Sequence, residues 1–224
     1  MHPLLSGKKL IAFDLDGTLI DSVPDLAAAL ARALEAEDLA VPEQENVSRW
    51  VGNGTYRLVE RGLAWAQSTP ENRLDRARLN RLYAAFMRYY GKAPHRLTRL
   101  YPGAAETLYA LREAGFVLVL ITNKPERFIA PLLEHFALSE AFALCLGGDS
   151  LARKKPDPLP LTHAAARFSV APSACVMVGD SCHDIAAGKA AGFATAALTY
   201  GYNHGEPIGQ SRPDALLDSL SELL

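Results

Sequence analysis

The 224-residue chain predicts an α/β fold, an open parallel sheet covered by helices on both faces and interrupted by an all-helical insertion. Three observations predict it. Short unbroken apolar runs recur at Leu10–Phe13, Phe116–Ile121, Phe142–Leu146, Ala174–Val178 and Ala194–Leu198, as strands buried on both faces require. Helix-like stretches separate the later runs, at Ala104–Glu113, Glu126–His135, Leu159–Phe168 and Asp184–Ala191. From about Ser22 to Thr98 the chain carries only helical periodicity, rich in Ala, Leu and Arg, with no strand candidate.

Each element has its own justification. Leu10–Phe13 is stopped by Asp14, and the chain then enters the helical stretch almost at once. Within that stretch Tyr83, Phe86, Tyr89 and Tyr90 recur at helical spacing, which predicts packing inside the insertion rather than a stacking platform. Gly91 and Pro94 break its last helix, so the insertion is expected over residues 21–95 and the sheet domain over 1–20 and 96–224. Beyond it, Gly115 and Gly192 stand where a helix stop is expected, after Glu113 and after Ala191. A chain of this length can bury one substantial core and a small second one.

Composition excludes several function classes. Lys and Arg number 23 against 25 Asp and Glu, spread along the chain, so no field is set up to recruit nucleic acid or an acidic membrane. Nothing approaches the roughly 18 unbroken apolar residues of a membrane span, and Met1–Lys9 does not read as a signal peptide. Cys145, Cys175 and Cys182 lack paired spacing, and Cys145 and Cys175 sit in strand-like runs, which fits reduced thiols and a cytoplasmic protein. The expected partner is a small metabolite, bound by a monomer or homodimer.

Four polar clusters follow apolar runs or lie between them: Asp14-Leu15-Asp16-Gly17-Thr18, Thr122-Asn123-Lys124, Lys154-Lys155-Pro156, and Gly179-Asp180 through Asp184. In an open parallel sheet, residues just past the carboxyl ends of strands line the ligand crevice, so distant segments would converge there. Two carboxylates about 4 Å apart repel by roughly 4 kcal/mol at an effective dielectric near 20. A cluster of Asp14, Asp16, Asp180 and Asp184 therefore calls for a cation, and oxygen donors that meet phosphate suit Mg²⁺. His183 is expected to face solvent.

A carboxylate beside Mg²⁺, a lysine and a hydroxyl donor has the parts for phosphoryl transfer. Asp14 would attack phosphorus, and Asp16, on a turn opened by Gly17, would serve as acid and then base. Thr122 and the Asn123 backbone would bind phosphoryl oxygens, with Gly17 beside them. Lys154 or Lys155 would offset charge, Asp180 would complete the metal ligands with Asp14 and Asp16, and Asp184 would support from behind.

The ordered set Asp14-x-Asp16-Gly17-Thr18, Thr122, Lys155-Pro156 and Gly179-Asp180-x-x-x-Asp184 resembles the four motifs of the haloacid dehalogenase-like superfamily across nearly the whole chain. The resemblance implies a Rossmann-like core, a mobile helical cap that closes over the site, and Lys155 rather than Lys154 as the catalytic lysine, since the proline follows it. It also implies that Asp16 gives the metal its backbone carbonyl. Trp50-Val51-Gly52-Asn53-Gly54, Thr122-Asn123-Lys124-Pro125 and Thr199 through Pro207 are similar to bacterial phosphoglycolate phosphatases, which implies hydrolysis of 2-phosphoglycolate. Asn53 and Gly54 are then expected to contact substrate, and Arg49 to clamp its carboxylate through a bidentate guanidinium. The segment after Lys155, Pro156-Asp157-Pro158-Leu159-Pro160, is more compact than that resemblance would suggest. Phosphatases of a sugar phosphate, a nucleotide or pyrophosphate stay open as alternatives, as does a phosphomutase.

Overall fold

The computed structural model describes residues 1–224. Its sheet comprises β1 (Leu10–Phe13), β4 (Val117–Ile121), β5 (Leu144–Leu146), β6 (Cys175–Gly179), β7 (Ala194–Leu198) and β8 (Ala215–Leu217), ordered β5-β4-β1-β6-β7-β8. Every pairing is parallel. β1 lies near the centre, with Phe13 opposite both Leu120 and Val178. All four of its side chains are buried, so the carboxylate after Phe13 emerges at the sheet's carboxyl edge from a rigid base.

Five strands correspond to the apolar runs. The sixth, β8, escapes sequence reading because it is three residues long and carries the exposed Leu216. A two-residue antiparallel ribbon also escapes it: β2 (Ile20–Asp21) pairs with β3 (Arg99–Leu100). Such a stretch is too short to show any period.

Between β2 and β3 lie α1 (Val23–Glu35), α2 (Gln44–Ser48), α3 (Thr55–Ala66) and α4 (Arg76–Lys92). Leu30, Leu34, Leu58, Leu63, Leu79 and Leu82 are buried among them. Gly62 lets α3 close on α1, since a Cβ there would stand 2.9 Å from a Leu30 methyl. Phe86 and Tyr90 are buried and stacked, while Tyr83 and Tyr89 are half-buried. The remaining helices are α5 (Ala104–Glu113), α6 (Ile129–His135), α7 (Leu159–Arg167) and α8 (Cys182–Ala191). No helix is long and apolar enough to cross a membrane, and all the cysteines are free.

One buried carboxylate ties the start of the helical segment to its end. Asp25 Oδ2 accepts hydrogen bonds from Leu97 N at 2.8 Å, Thr98 N at 2.7 Å and Thr98 Oγ1 at 2.7 Å. Removing it strands buried donors, at a cost of about 1–3 kcal/mol for each group left unsatisfied. Asp25→Ala is expected to lower the melting temperature by about 5–10 °C, and calorimetry showing the wild-type transition would contradict this role.

Candidate active site

The carboxyl ends of β1, β4 and β6 bring distant segments together. Asp14 follows β1 and is held in line by its backbone N–H, which donates to Val178 O at 3.0 Å. Lys155 Nζ stands 2.8 Å from Asp14 Oδ1 and 2.6 Å from Asp184 Oδ1, and donates to Ile121 O at 2.5 Å. Lys155 is only 2 % exposed, so its three anionic or carbonyl neighbours replace the water it lost. Burial opposes its charge, but Asp14 and Asp184 outweigh that and hold its pKa above the usual lysine range.

Asp184 is fixed from the other side. Its Oδ2 accepts from Ser181 N at 3.0 Å and Ser181 Oγ at 2.8 Å, the capping box that opens α8. Asp180 accepts from Thr18 Oγ1 at 2.8 Å and from Tyr202 N at 2.8 Å. Two glycines let this carboxylate approach. A Cβ at Gly17, whose φ is +87°, would lie 2.3 Å from Asp180 Oδ2, and one at Gly201 would lie 2.1 Å from Asp180 Cβ.

Carboxylate oxygens of Asp14, Asp180 and Asp184 lie within 4.8 Å of one another, all buried. Burial pushes Asp14 up to about 7, with Asp184 and Asp16 adding to the shift and Lys155 opposing it. Burial, Asp184 and Asp14 likewise raise Asp180 well above the carboxylate range, against the Tyr202 and Thr18 hydrogen bonds. Of three buried carboxylates, Lys155 pairs with two, Asp14 and Asp184, so the uncompensated charge and the all-oxygen donor set fit a hard divalent cation.

Asp16 stands apart from that cluster. Lys124 Nζ lies 2.7 Å and 3.0 Å from its two carboxylate oxygens, and Ser22 Oγ donates to Oδ1 at 2.6 Å. Lys124 is itself buried, 5.0 Å from the centre of the Tyr90 ring. Burial works against its ammonium, but Asp16 more than compensates and its pKa lies above the usual lysine value.

A small cavity of about 20 Å³ opens onto these groups, lined by Asp14, Asp16, Thr122, Asn123 and Lys124 below. Above lie Leu26, Val51, Gly52, Gly54, Thr55 and Leu58 from the helical segment. Asn123 joins the two sides, since its Nδ2 donates to Gly52 O at 2.9 Å and Lys155 O at 3.0 Å. Lys124 is the only cationic side chain in the lining.

Of the residues singled out in the sequence, Asp14, Asp16, Gly17, Thr122, Asn123, Lys155, Asp180 and Asp184 gather at this edge of the sheet. Gly54 lines the cavity, and Asn53 sits beside it against His183. Arg49 is not brought in: its guanidinium is exposed and pairs with Glu45 at 2.7 Å along the same short helix. The expectation that His183 faces solvent needs correction, because it is half-buried between Asn53 and His204. Sequence reading gave no role to Lys124, Ser22 or Tyr202. Lys124 was visible only as the third letter of Thr122-Asn123-Lys124, and only the fold carries Ser22 and Tyr202 to Asp16 and Asp180.

Comparison with known proteins agrees with this geometry. A family model for the haloacid dehalogenase-like hydrolases matches residues 8–192. A phosphoglycolate phosphatase of Vibrio parahaemolyticus is 46 % identical over 218 residues, covering 96 % of this chain and 94 % of the relative. One of Escherichia coli is 44 % identical over 229 residues, covering 96 % and 90 %. The crystal structure of a predicted phosphoglycolate phosphatase from Haemophilus somnus superposes with a TM-score of 0.92 at 40 % identity, covering 97 % of this chain and 96 % of that one. With the motifs, the parallel sheet and the carboxylate cluster in agreement, this chain belongs to the haloacid dehalogenase-like hydrolases.

Proposed function

We propose that the protein is a cytoplasmic, Mg²⁺-dependent phosphatase that hydrolyses 2-phosphoglycolate to glycolate and phosphate through an aspartyl phosphate. The observation that carries this reading is the buried Asp14 carboxylate, paired with Lys155 and lining a cavity beneath the helical segment. In this reading residues 1–20 and 96–224 form the catalytic core and residues 21–95 the cap.

Asp14, Asp180 and the main-chain carbonyl of Asp16 would hold the Mg²⁺, which when bound neutralises part of the charge that gathers during phosphoryl transfer. An Asp14 carboxylate oxygen attacks phosphorus, the bond from phosphorus to the glycolate oxygen breaks, and Asp16 gives that oxygen a proton. Asp16 then takes a proton from water as the water oxygen attacks phosphorus, which frees phosphate and restores Asp14. Lys155, oriented by Asp184 and Ile121 O, favours the ionised form of Asp14 and aims it. Thr122, the Asn123 backbone and Gly17 bind phosphoryl oxygens, while Asn53 and Gly54 shape the lid of the cavity.

For the substrate carboxylate this reading replaces Arg49 with Lys124. Its contacts to Asp16 use at most two of its three ammonium hydrogens, and no other cation lines the cavity. A charge-assisted hydrogen bond to the carboxylate is worth about 1.5–3 kcal/mol, roughly 10–100-fold in kcat/KM.

Three outcomes test the reading. Asp14→Asn is expected to lower kcat by at least about 10⁴-fold, as loss of a nucleophile does, and Asp16→Asn by about 10²–10⁴-fold; a variant of Asp14 that turns over normally would sink the nucleophile assignment. Chelation should silence the enzyme and added Mg²⁺ restore it, so full turnover in excess chelator would remove the metal. Lys124→Met should cost phosphoglycolate about 10–100-fold more kcat/KM than it costs ethyl phosphate, which lacks the carboxylate. Equal losses on both substrates would limit Lys124 to positioning Asp16.

A further inference from the structure

Beside the catalytic cluster lies a second group of metal-ligating side chains of different chemistry. Ligand atoms of Cys182, His183 and His204 lie within 4.8 Å of one another, all three residues half-buried. Cys182 and His183 open α8, and His204 comes from the turn that follows β7. That turn is clamped to α8: Asn203 Oδ1 accepts from Cys182 N at 2.8 Å, and Asn203 Nδ2 donates to Glu206 O at 2.7 Å. Asn203 and His204 both hold positive φ, 31° and 56°, a costly conformation for consecutive side-chain-bearing residues.

A hydrogen bond fixes where the His204 imidazole carries its lone pair. His204 Nδ1 lies 3.0 Å from Arg49 O, and since a carbonyl only accepts, Nδ1 holds the proton and Nε2 the lone pair. His183 Nε2 lies against the side-chain amide of Asn53. The two Nε2 atoms are 3.3 Å apart. A tetrahedral ion with bonds of about 2.0–2.1 Å holds two imidazole nitrogens about 3.3–3.4 Å apart.

We propose that Cys182, His183 and His204 form a second cation site, for a borderline transition ion of the Zn²⁺ class. Two imidazoles and a thiolate select such an ion over Mg²⁺, whereas the all-oxygen cluster of Asp14, Asp180 and Asp184 has the opposite preference. Cys182 ligates as thiolate and its proton passes to solvent, as metal coordination of a thiol requires. The ion joins the turn carrying His204 to the start of α8. Through the Arg49 carbonyl it also braces the segment that leads to Gly52 and Gly54 above the catalytic cavity.

Co²⁺ provides the test, added to the folded, metal-stripped full-length protein with Mg²⁺ in large excess to hold the oxygen cluster. One equivalent is expected to give the intense visible absorption of tetrahedral Co²⁺ and a sulfur-to-cobalt charge-transfer band, both abolished by Zn²⁺ and not by Ca²⁺. Cys182→Ser should remove the charge-transfer band alone. His204→Ala and His183→Gln, with folding checked by circular dichroism, should each weaken Co²⁺ binding at least about tenfold. Only the weak absorption of octahedral Co²⁺ in the wild type, or unchanged spectra in both histidine variants, would overturn the proposal.

Discussion

Everything at the functional edge of the molecule is arranged around one buried ammonium. Lys155 Nζ sits between Asp14, Asp184 and the carbonyl of Ile121, and so links the ends of β1 and β4 with the first turn of α8. Breaking a buried ion pair by removing one partner typically costs about 3–5 kcal/mol, because the remaining charge is stranded. The ammonium nevertheless balances only part of the local charge, since Asp180 shares the same space. The fold thus carries a standing demand for a cation, a feature of a site tuned to an incoming phosphate and its metal rather than of a minimum-energy core.

A second ion pair, Lys124 with Asp16, divides the labour. Burial, with Asp184 and Asp16 adding to it, pushes the proton affinity of Asp14 up, whereas Asp16 is held by Lys124 and Ser22. Two carboxylates two residues apart are therefore given different surroundings, as the proposed roles of nucleophile and proton carrier require. Lys124 rests against Tyr90 of α4, so the surroundings of Asp16 are built partly from the helical segment. Asn123, bonded to Gly52 O, makes a second such link, and both would respond to movement of that segment.

Much of the fold was legible in the sequence because buried strands of a parallel sheet need unbroken apolar runs. β1, β4, β6 and β7 match those runs within a residue or two. β8 was not legible, since a three-residue edge strand with Leu216 facing solvent carries no such signature. The convergence of Asp14, Lys155, Asp180 and Asp184 could be read from their places after or between strands, whereas partner choice could not. Arg49 looked suited to a carboxylate, but (i, i+4) spacing on a short helix gives it Glu45. Lys124, to which the sequence gives no role beyond its place in Thr122-Asn123-Lys124, is turned inward by the β4–α6 connection and takes Asp16. His183 shows the same limit, because its neighbours Asn53 and His204 are each remote in the chain.

The most direct test of the central claim is to trap the covalent intermediate. Borohydride added during steady-state turnover reduces an acyl phosphate, and peptide mass spectrometry then locates the modified side chain. The account predicts reduction at Asp14 alone, dependent on both substrate and Mg²⁺. Reduction at another carboxylate, or an unmodified Asp14 under conditions where the intermediate accumulates, would contradict it.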